Sequence, residues 1–586
     1  MAKNENKKWI VSWLIAAALT VGFVLYLGKR YALLVFSPDD LAMKSIISGV
    51  FTGTPDGHSV FMRYPLSWLL SQLYRIWAGV DWYDLFFMGC HGWCVWLIFA
   101  RCGRMTGKKI PGYLVWALAA VVFLFTNNMV NLEWTTTAGA LGMTAIFRYC
   151  TMPEYRNRKQ AAAEYGVCFA LLAVGFCLRH TAILMLVPIA FVCWVSHMLA
   201  VRKKAEYVRR KTWISETVFL LAAGILVVAV MGLHSLGYRS DEWKSYLTYT
   251  EDRSALFDYY GYPDYSEYQA EYEAAGISYE VYVLMTNDYN YVVAADHFEN
   301  IDLHAMAVLA EELYNQQDAQ ARWEKCGRKL DSLLKDDAVV WMLRFLAVLA
   351  FAHIFLVDRK QTGLWLCALG AVVCTVGVGG YLIYQGRFPA RVALCLLYGV
   401  AAVLAGNVFA ISVENGEQSR RRVVLKWLVA VAVAVAVCCQ ITAHQDRILE
   451  KNNTQAALAQ AANKLAQYCN QEPENLYFYD FWSFSQRGNY FMKTVDSGNY
   501  VRAGGWLYRT PVYDEMLNGF GCYDLVQAIR ERGNVYYLVS SSRVEQVSQR
   551  LNDYFASIGQ NISVELADSF ETSVEYVEVL HFRYVG

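Results

Sequence analysis

Long apolar runs alternate along this chain with short clusters of Lys and Arg, and that alternation leaves few folds open. After a basic start at Lys3, Lys7 and Lys8, an apolar run covers 9–27. Basic clusters follow at Arg101/Arg104/Lys108/Lys109, Arg148/Arg156/Arg158/Lys159, Arg202/Lys203/Lys204 with Arg209/Arg210/Lys211, Arg359/Lys360 and Arg420/Arg421/Arg422. Each lies between two apolar stretches of roughly 18–23 residues, long enough to cross a bilayer core. A lone span must satisfy its own backbone polar groups, so the spans are expected to be helices. Excess Lys and Arg marks the cytoplasmic side, which puts the N-terminus inside.

The predicted spans are about 9–28, 82–101, 112–128, 130–148, 162–179, 181–200, 213–234, 339–357, 362–384, 390–411 and 423–443. No small-residue cleavage site follows the first run, so it reads as a retained helix. Those eleven crossings leave the C-terminus outside, together with the loops 29–81 and 235–338. Residues 64–78 are too short and, with Arg75, too polar for a span, and are expected to form an interfacial or re-entrant helix. Lys29 and Arg30 fall at an outer end, where they would snorkel or meet an anionic headgroup.

Composition agrees with this reading. At 56% hydrophobic and 18% charged, the chain is too apolar for a soluble enzyme of its size, and its zero net charge points to no nucleic-acid partner. Most of the fifteen cysteines fall in predicted spans, where a thiol is a small apolar group. A Cys469–Cys522 disulfide is left open, and no metal-type spacing occurs.

The fold class expected is therefore mainly α: a polytopic helical membrane protein, N-in and C-out, with a transmembrane domain over 1–443 and an extracytoplasmic α/β domain over 444–586. In the tail, helices are predicted at 456–468, 523–532 and 544–558, and strands at 475–479, 534–540, 562–566 and 576–582. It carries no Gly-rich phosphate loop and no nucleophile elbow, so a structural or recognition module is the simpler reading. The loop 235–338 holds Trp243, Tyr246, Tyr249, Tyr259, Tyr260, Tyr262, Tyr265, Tyr268 and Tyr272 beside several acids. Aromatic faces with carboxylates suit sugar rings, and they equally suit a helical cap packed at the membrane interface.

The polar chemistry gathers on the outer face. Ser37-Pro38-Asp39-Asp40 opens an amphipathic stretch just after the first span. Ser37 as N-cap, Pro38 at the first position and acids in the first turn make an ordinary helix start. Paired carboxylates at a membrane surface would equally serve as a general base or hold a divalent metal. His58, Arg63, Glu133, Arg179, His180, Arg387 and Arg391 map to outer loops or outer span ends. Cations there run against the positive-inside bias, and a guanidinium matches phosphate; headgroup contact or snorkelling is the alternative for each taken singly.

An N-in first helix, an outer loop opening with paired acids, interfacial helices in that loop and an extracytoplasmic C-terminal domain together resemble the GT-C class of integral-membrane glycosyltransferases. The resemblance implies transfer of a sugar from a polyprenyl-phosphate carrier to a glycan, lipid or polymer of the cell envelope, outside the plasma membrane. It implies Asp39 or Asp40 as the base, Arg63, Arg179, Arg387 and Arg391 as candidates for holding the lipid phosphate, and inversion in one displacement. The Trp-Trp-Asp-Tyr-Gly signature of the oligosaccharyltransferase branch is absent, and the loop 235–338 is longer than in smaller members. A transporter or flippase of lipid-linked glycans would want ionisable groups at the midplane of several spans, which these spans nearly lack. A non-catalytic assembly protein, in which Asp39 and Asp40 only cap a helix, and a polymerase of lipid-linked repeat units complete the set of readings.

Overall fold

The computed structural model describes residues 2–585 apart from 105–109, 153–157, 203, 205, 291–300, 412–419, 485, 486, 490, 492–497, 523 and 524. Lys108, Lys109, Arg156 and Lys203 of the basic loops, and Tyr523 of the tail, lie outside the described residues. Among the described residues eight helices are long and apolar enough to cross a membrane, and the chain is an integral membrane protein. The segments expected at 112–128 and 130–148 are the helices Ile110–Val130 and Trp134–Cys150. The latter, 17 residues long, is almost wholly buried at the centre of the bundle. Gly139 lets it approach the helix Ala390–Ile411: a Cβ there would meet Cys395 Sγ at 2.6 Å. Small residues serve helix contact inside a bilayer in this way.

Two expected boundaries differ. The spans at 162–179 and 181–200 belong to one element, Arg158–Arg202, broken at Arg179, whose φ of −149° and ψ of 94° leave the helical region. The last span and the tail helix expected at 456–468 form a single helix, Arg420–Gln471, so residue 443 falls in its interior. The hydrophobic run ends there, but no Gly or Pro stops the helical backbone, and Ala-rich sequence carries it onward.

On the Lys/Arg-rich side the buried charges are paired. Glu164 binds both Arg101 and Arg148, the latter at 2.7 Å, and Glu216 accepts from the hydroxyls of Tyr149 and Tyr165 at 2.9 and 2.7 Å. Each buried carboxylate has partners, as a low-dielectric interior demands.

At the opposite side the chain builds a cap from two segments far apart in sequence. Residues 241–290 and 301–335 form mostly short helices, and the tail forms a five-stranded sheet in the order 500–502, 476–479, 535–540, 576–584, 562–571. Strand Leu476–Tyr479 runs parallel to both neighbours; Tyr576–Tyr584 runs antiparallel to both of its own. Every strand expected in the tail is present. Loop and tail share one hydrophobic core, in which Trp243, Tyr246, Tyr249 and Tyr272 are buried with Val512, Tyr513 and Tyr537. For those four aromatics the structure gives packing, not an open face for a sugar. Cys469 and Cys522 are buried and unlinked.

A small second sheet clamps cap to bundle. Leu34–Val35, just after the first span, pairs in parallel with Asn131–Leu132 and antiparallel with Gly488–Asn489 of the tail. The helix Pro38–Ser48 starts directly behind it, with Ser37 Oγ accepting the Asp39 N–H at 3.1 Å. Gly49 ends that helix at φ 80°, where a Cβ would lie 2.4 Å from Pro55 N. The expected interfacial helix is Tyr64–Ile76, and it leaves Trp68, Leu69 and Ile76 uncovered.

Candidate functional site

The cap and the bundle enclose a cavity of about 410 Å³, within the range of roughly 300–1,000 Å³ usual for ligand sites. Its floor comes from Pro38, Asp39, Phe61, Trp134, Arg179, Arg387 and Arg391, its roof from Arg253, Phe257, Asp258 and Tyr289 of the long loop and Phe481, Arg502 and Trp506 of the tail.

Asp39 is the carboxylate of the floor. As the second residue of its helix it is held by local capping, and its side chain remains partly open to the cavity. Oδ1 accepts from the Trp506 indole at 3.1 Å, and Oδ2 lies 3.8 Å from Arg391 Nη1. Arg391 also lies 3.6 Å from Glu133 Oε1, and its Nε is buried with no hydrogen-bond partner among the described residues. Glu133 is the N-cap of the central helix, accepting from Thr136 N–H at 3.4 Å, and stands just behind the lining.

Arg179 enters because the helix breaks at that residue. It donates to Thr135 Oγ1 at 2.6 Å and stacks 4.1 Å from the Trp134 ring. Arg387, in the turn between two spans, pairs with Asp258 at 3.1 Å and lies 5.0 Å from the Tyr259 ring. From the roof, Arg253 donates to Tyr289 Oη, and Arg502 stacks 4.3 Å from Phe481 while donating to Phe484 O at 3.1 Å. Arg179, Arg253, Arg387, Arg391 and Arg502 face only Asp39 and Asp258 on the lining, so the cavity carries excess positive charge. Such a surface favours an anion, and Phe61, Trp134, Phe257 and Trp506 supply flat apolar faces beside it.

The adjacent Asp40 points away from the cavity. It is fully buried, accepting from Tyr83 Oη at 2.7 Å and from Trp134 N–H at 3.4 Å. Burial, then the charges of Glu133 and Asp39, push its carboxyl well above the usual range, against the opposing Tyr83 hydrogen bond. A helix turns about 100° per residue, which is why two neighbouring acids face different surroundings.

His58, Arg63 and His180 gather in a second cluster that does not line the cavity. His58 Nδ1 lies 2.6 Å from Asp56 Oδ1, and its ring stacks on Trp243. Burial draws the His58 pKa down, but the bonded Asp56 carboxylate outweighs it and the net shift is upward. Arg63 Nη2 lies 2.7 Å from the ring nitrogens of His180, and burial lowers the Arg63 pKa.

No protein-family model matches the chain, and no curated protein sequence does. Among solved structures there is a likeness to ArnT. The ArnT of Cupriavidus metallidurans bound to undecaprenyl phosphate is 11% identical, over 99% of this chain and 97% of that one, with a TM-score of 0.39. Its apo structure is 11% identical over 98% of each chain, with a TM-score of 0.40. The correspondence with ArnT is end to end in length, at scores too low to establish a common fold by themselves.

Sequence reasoning found Asp39, Arg179, Arg387 and Arg391 but missed Arg253, Arg502, Tyr289 and Trp506. Nothing local marks these: each comes from the cap and meets the floor only in the tertiary fold. The single signal was the concentration of aromatics and acids around Asp258. Among the described residues no group of three or more His, Cys, Asp or Glu is placed to hold a metal ion.

Proposed function

We propose that this chain is a membrane glycosyltransferase that moves a sugar from a polyprenyl-phosphate carrier to a hydroxyl of a cell-envelope glycan, lipid or polymer, on the side opposite its Lys/Arg-rich loops. The observation that carries the reading is one cavity in which the Asp39 carboxylate stands among Arg179, Arg387 and Arg391 at the ends of membrane spans.

In this reading Asp39 accepts the proton of the acceptor hydroxyl as its oxygen bonds to the anomeric carbon. The bond from that carbon to the phosphate oxygen breaks, and the polyprenyl phosphate leaves with the electron pair. The guanidiniums of Arg387, Arg391 and Arg179 stabilise the negative charge that gathers on the phosphate oxygens. Trp506 fixes the orientation of Asp39 through its N–H, and the lining aromatics offer faces for the sugar ring. A single displacement of this kind inverts the anomeric centre. If a divalent metal takes part, Asp39 and Asp258 are the lining carboxylates that would meet it. Asp40, sealed behind Tyr83, supports the site as a buried strut rather than as the base.

The test is transfer by the purified chain in lipid nanodiscs, with a panel of radiolabelled polyprenyl-phosphate sugars and envelope extract as acceptor. Transfer that collapses in Asp39→Asn at matched folded yield supports the reading. A lack of transfer from any donor, with Asp39→Asn still complementing a deletion strain, overturns it.

A further inference from the structure

The tail meets the cavity with one particular edge of its sheet. Strand Leu476–Tyr479 lies between two parallel neighbours, Tyr500–Arg502 and Val535–Ser540, so the chain leaves it for one side and later returns to the other. In open α/β sheets, ligands bind in the crevice outside the carboxyl ends of such strands, where the connections diverge. Those are the ends that line the cavity here. Tyr479 and Phe481 stand at the end of the first strand, and Arg502, Gly504, Gly505 and Trp506 at the end of its neighbour. Gly505 permits the close approach, at φ 94° and with the Phe481 ring 3.3 Å from where a Cβ would lie.

This edge brings cation rather than acid. Arg502 donates through Nη2 to Phe484 O at 3.1 Å, yet its Nε is buried without a hydrogen-bond partner among the described residues. A buried donor left unmet is costly, and an acceptor atom of a ligand would remove that cost. Arg253 of the long loop, 6% exposed, lines the same roof and is held by Tyr289 Oη and Thr250 Oγ1. Asp258, the carboxylate of the roof, is engaged by Arg387 at 3.1 Å and Ser254 Oγ at 2.9 Å. The proposed donor does not neutralise the cavity either. Five lining guanidiniums face Asp39 and Asp258, with Glu133 just behind. A polyprenyl-phosphate sugar is a phosphodiester with a single negative charge, so cations remain in excess.

We propose that the roof is the acceptor subsite and that it takes an acidic glycan, whose phosphate or carboxylate is held by Arg502 and Arg253 while a neighbouring hydroxyl reaches Asp39. The assignment rests on the reading of the cavity as a transferase site. Position separates the two sets of cations. Arg179, Arg387 and Arg391 stand at breaks and ends of spans, the level that a lipid-tethered phosphate reaches. Arg253 and Arg502 belong to the cap. Asp39 lies between, with Oδ2 towards Arg391 of the floor and Oδ1 towards Trp506 of the roof. An acceptor held under the roof therefore meets the base, with the donor phosphate on the far side. Guanidiniums pair with phosphate and carboxylate through parallel N–H donors, which supplies orientation as well as charge.

The test uses the full chain in phosphatidylcholine nanodiscs, with the radiolabelled donors and with envelope extract split on an anion-exchange resin. Label is expected in acceptors that the resin retains and not in those that pass through. Arg502→Gln is expected to raise the acceptor KM about tenfold, as loss of one hydrogen bond to a charged group does, with little change in donor KM. Arg502→Lys should recover part of that loss. Equal transfer to the unretained acceptors, or an unchanged acceptor KM in Arg502→Gln, overturns the proposal. A second measurement needs no transfer: melting temperature in glycerol 3-phosphate and in galacturonate, with glycerol and galactose as neutral controls at equal ionic strength. The anions are expected to stabilise wild type more than Arg502→Gln, and the anion with the larger difference identifies the group held. Equal shifts in the two proteins overturn the roof site. A difference between them without transfer from any donor supports the anion site and counts against the transferase reading alone.

Discussion

The Trp506 indole N–H donates to Asp39 Oδ1 at 3.1 Å, joining residues 467 positions apart. One partner opens the first helix after the first span; the other belongs to the last quarter of the chain. The tail is therefore part of the cavity wall, and the carboxylate of the floor is oriented by the roof. Removing the N–H while keeping a ring is the direct probe. Trp506→Phe is expected to slow transfer about 10- to 100-fold, the range for one hydrogen bond to a charged group worth about 1.5–3 kcal/mol. Acceptor-saturated rates measured beside circular dichroism would separate this from misfolding.

The two adjacent acids should behave differently. Asp39→Asn is expected to cut transfer by about 10²- to 10⁴-fold with little change in melting temperature, as loss of a general base does. Asp40→Asn is expected to retain activity, because an amide of the same shape keeps an acceptor for Tyr83 Oη and Trp134 N–H in the buried site. Asp40→Ala is expected to cost about 1–3 kcal/mol by stranding Tyr83 Oη and Trp134 N–H. Equal activity losses in both Asn variants would remove the distinction drawn from burial.

Asp40 also carries a pH signature. Its folded pKa lies above the unfolded value near 3.9, so its stabilising contribution is complete below about pH 3.9 and is lost as pH rises through the folded pKa. Thermal melts of wild type and Asp40→Asn across pH 4 to 8 should diverge, the wild type losing relative stability towards high pH.

The pair His58 and Asp56 gives the opposite limb as well. The His58 pKa is raised, so its contribution is full below about 6.5 and lost as pH rises through the folded value. Asp56 is lowered, burial being outweighed by His58, so its contribution is present above about 3.9 and lost as pH falls through its folded value. Their joint stabilisation should be greatest between about pH 4 and 6.5, and His58→Gln should flatten the wild-type melting profile over that window.

Docking of the tail rests on Arg543, which reaches Asp288 of the long loop at 2.9 Å and Asp480 of the tail at 3.0 Å. Both carboxylates are buried, and Arg550 supports Asp288 alone at 2.6 Å. Arg543→Ala is expected to destabilise the cap by about 3 kcal/mol, as breaking a buried pair does. Limited proteolysis should then release the tail while the spans stay intact.

Much of this protein was readable along the chain. Hydropathy and basic clusters marked the apolar spans because a bilayer imposes length and composition on each segment separately. Alternating β-rich and amphipathic runs located four of the five strands of the tail sheet, missing the short edge strand Tyr500–Arg502, since period-2 and period-3.6 patterns are local properties that three residues are too few to show. Ser37 and Pro38 announced the helix that carries Asp39, because capping acts within one turn. Helix continuity was less legible. Arg179 breaks a helix without a Pro or Gly at that position, and the tail helix continues the last span without a signal.

Only the tertiary structure decided which outer-face residues form one site. Asp39, Arg179, Arg387 and Arg391 share a cavity, whereas His58, Arg63 and His180 form another cluster and Asp40 is sealed away. Arg253, Arg502 and Trp506 come from segments with no local mark of function, delivered by the hydrophobic core that loop and tail share. The sequence by itself determined which segments are long and apolar enough to cross a membrane, because that depends on each segment's own length and composition. It did not determine which side chains converge, because convergence depends on packing between segments hundreds of residues apart.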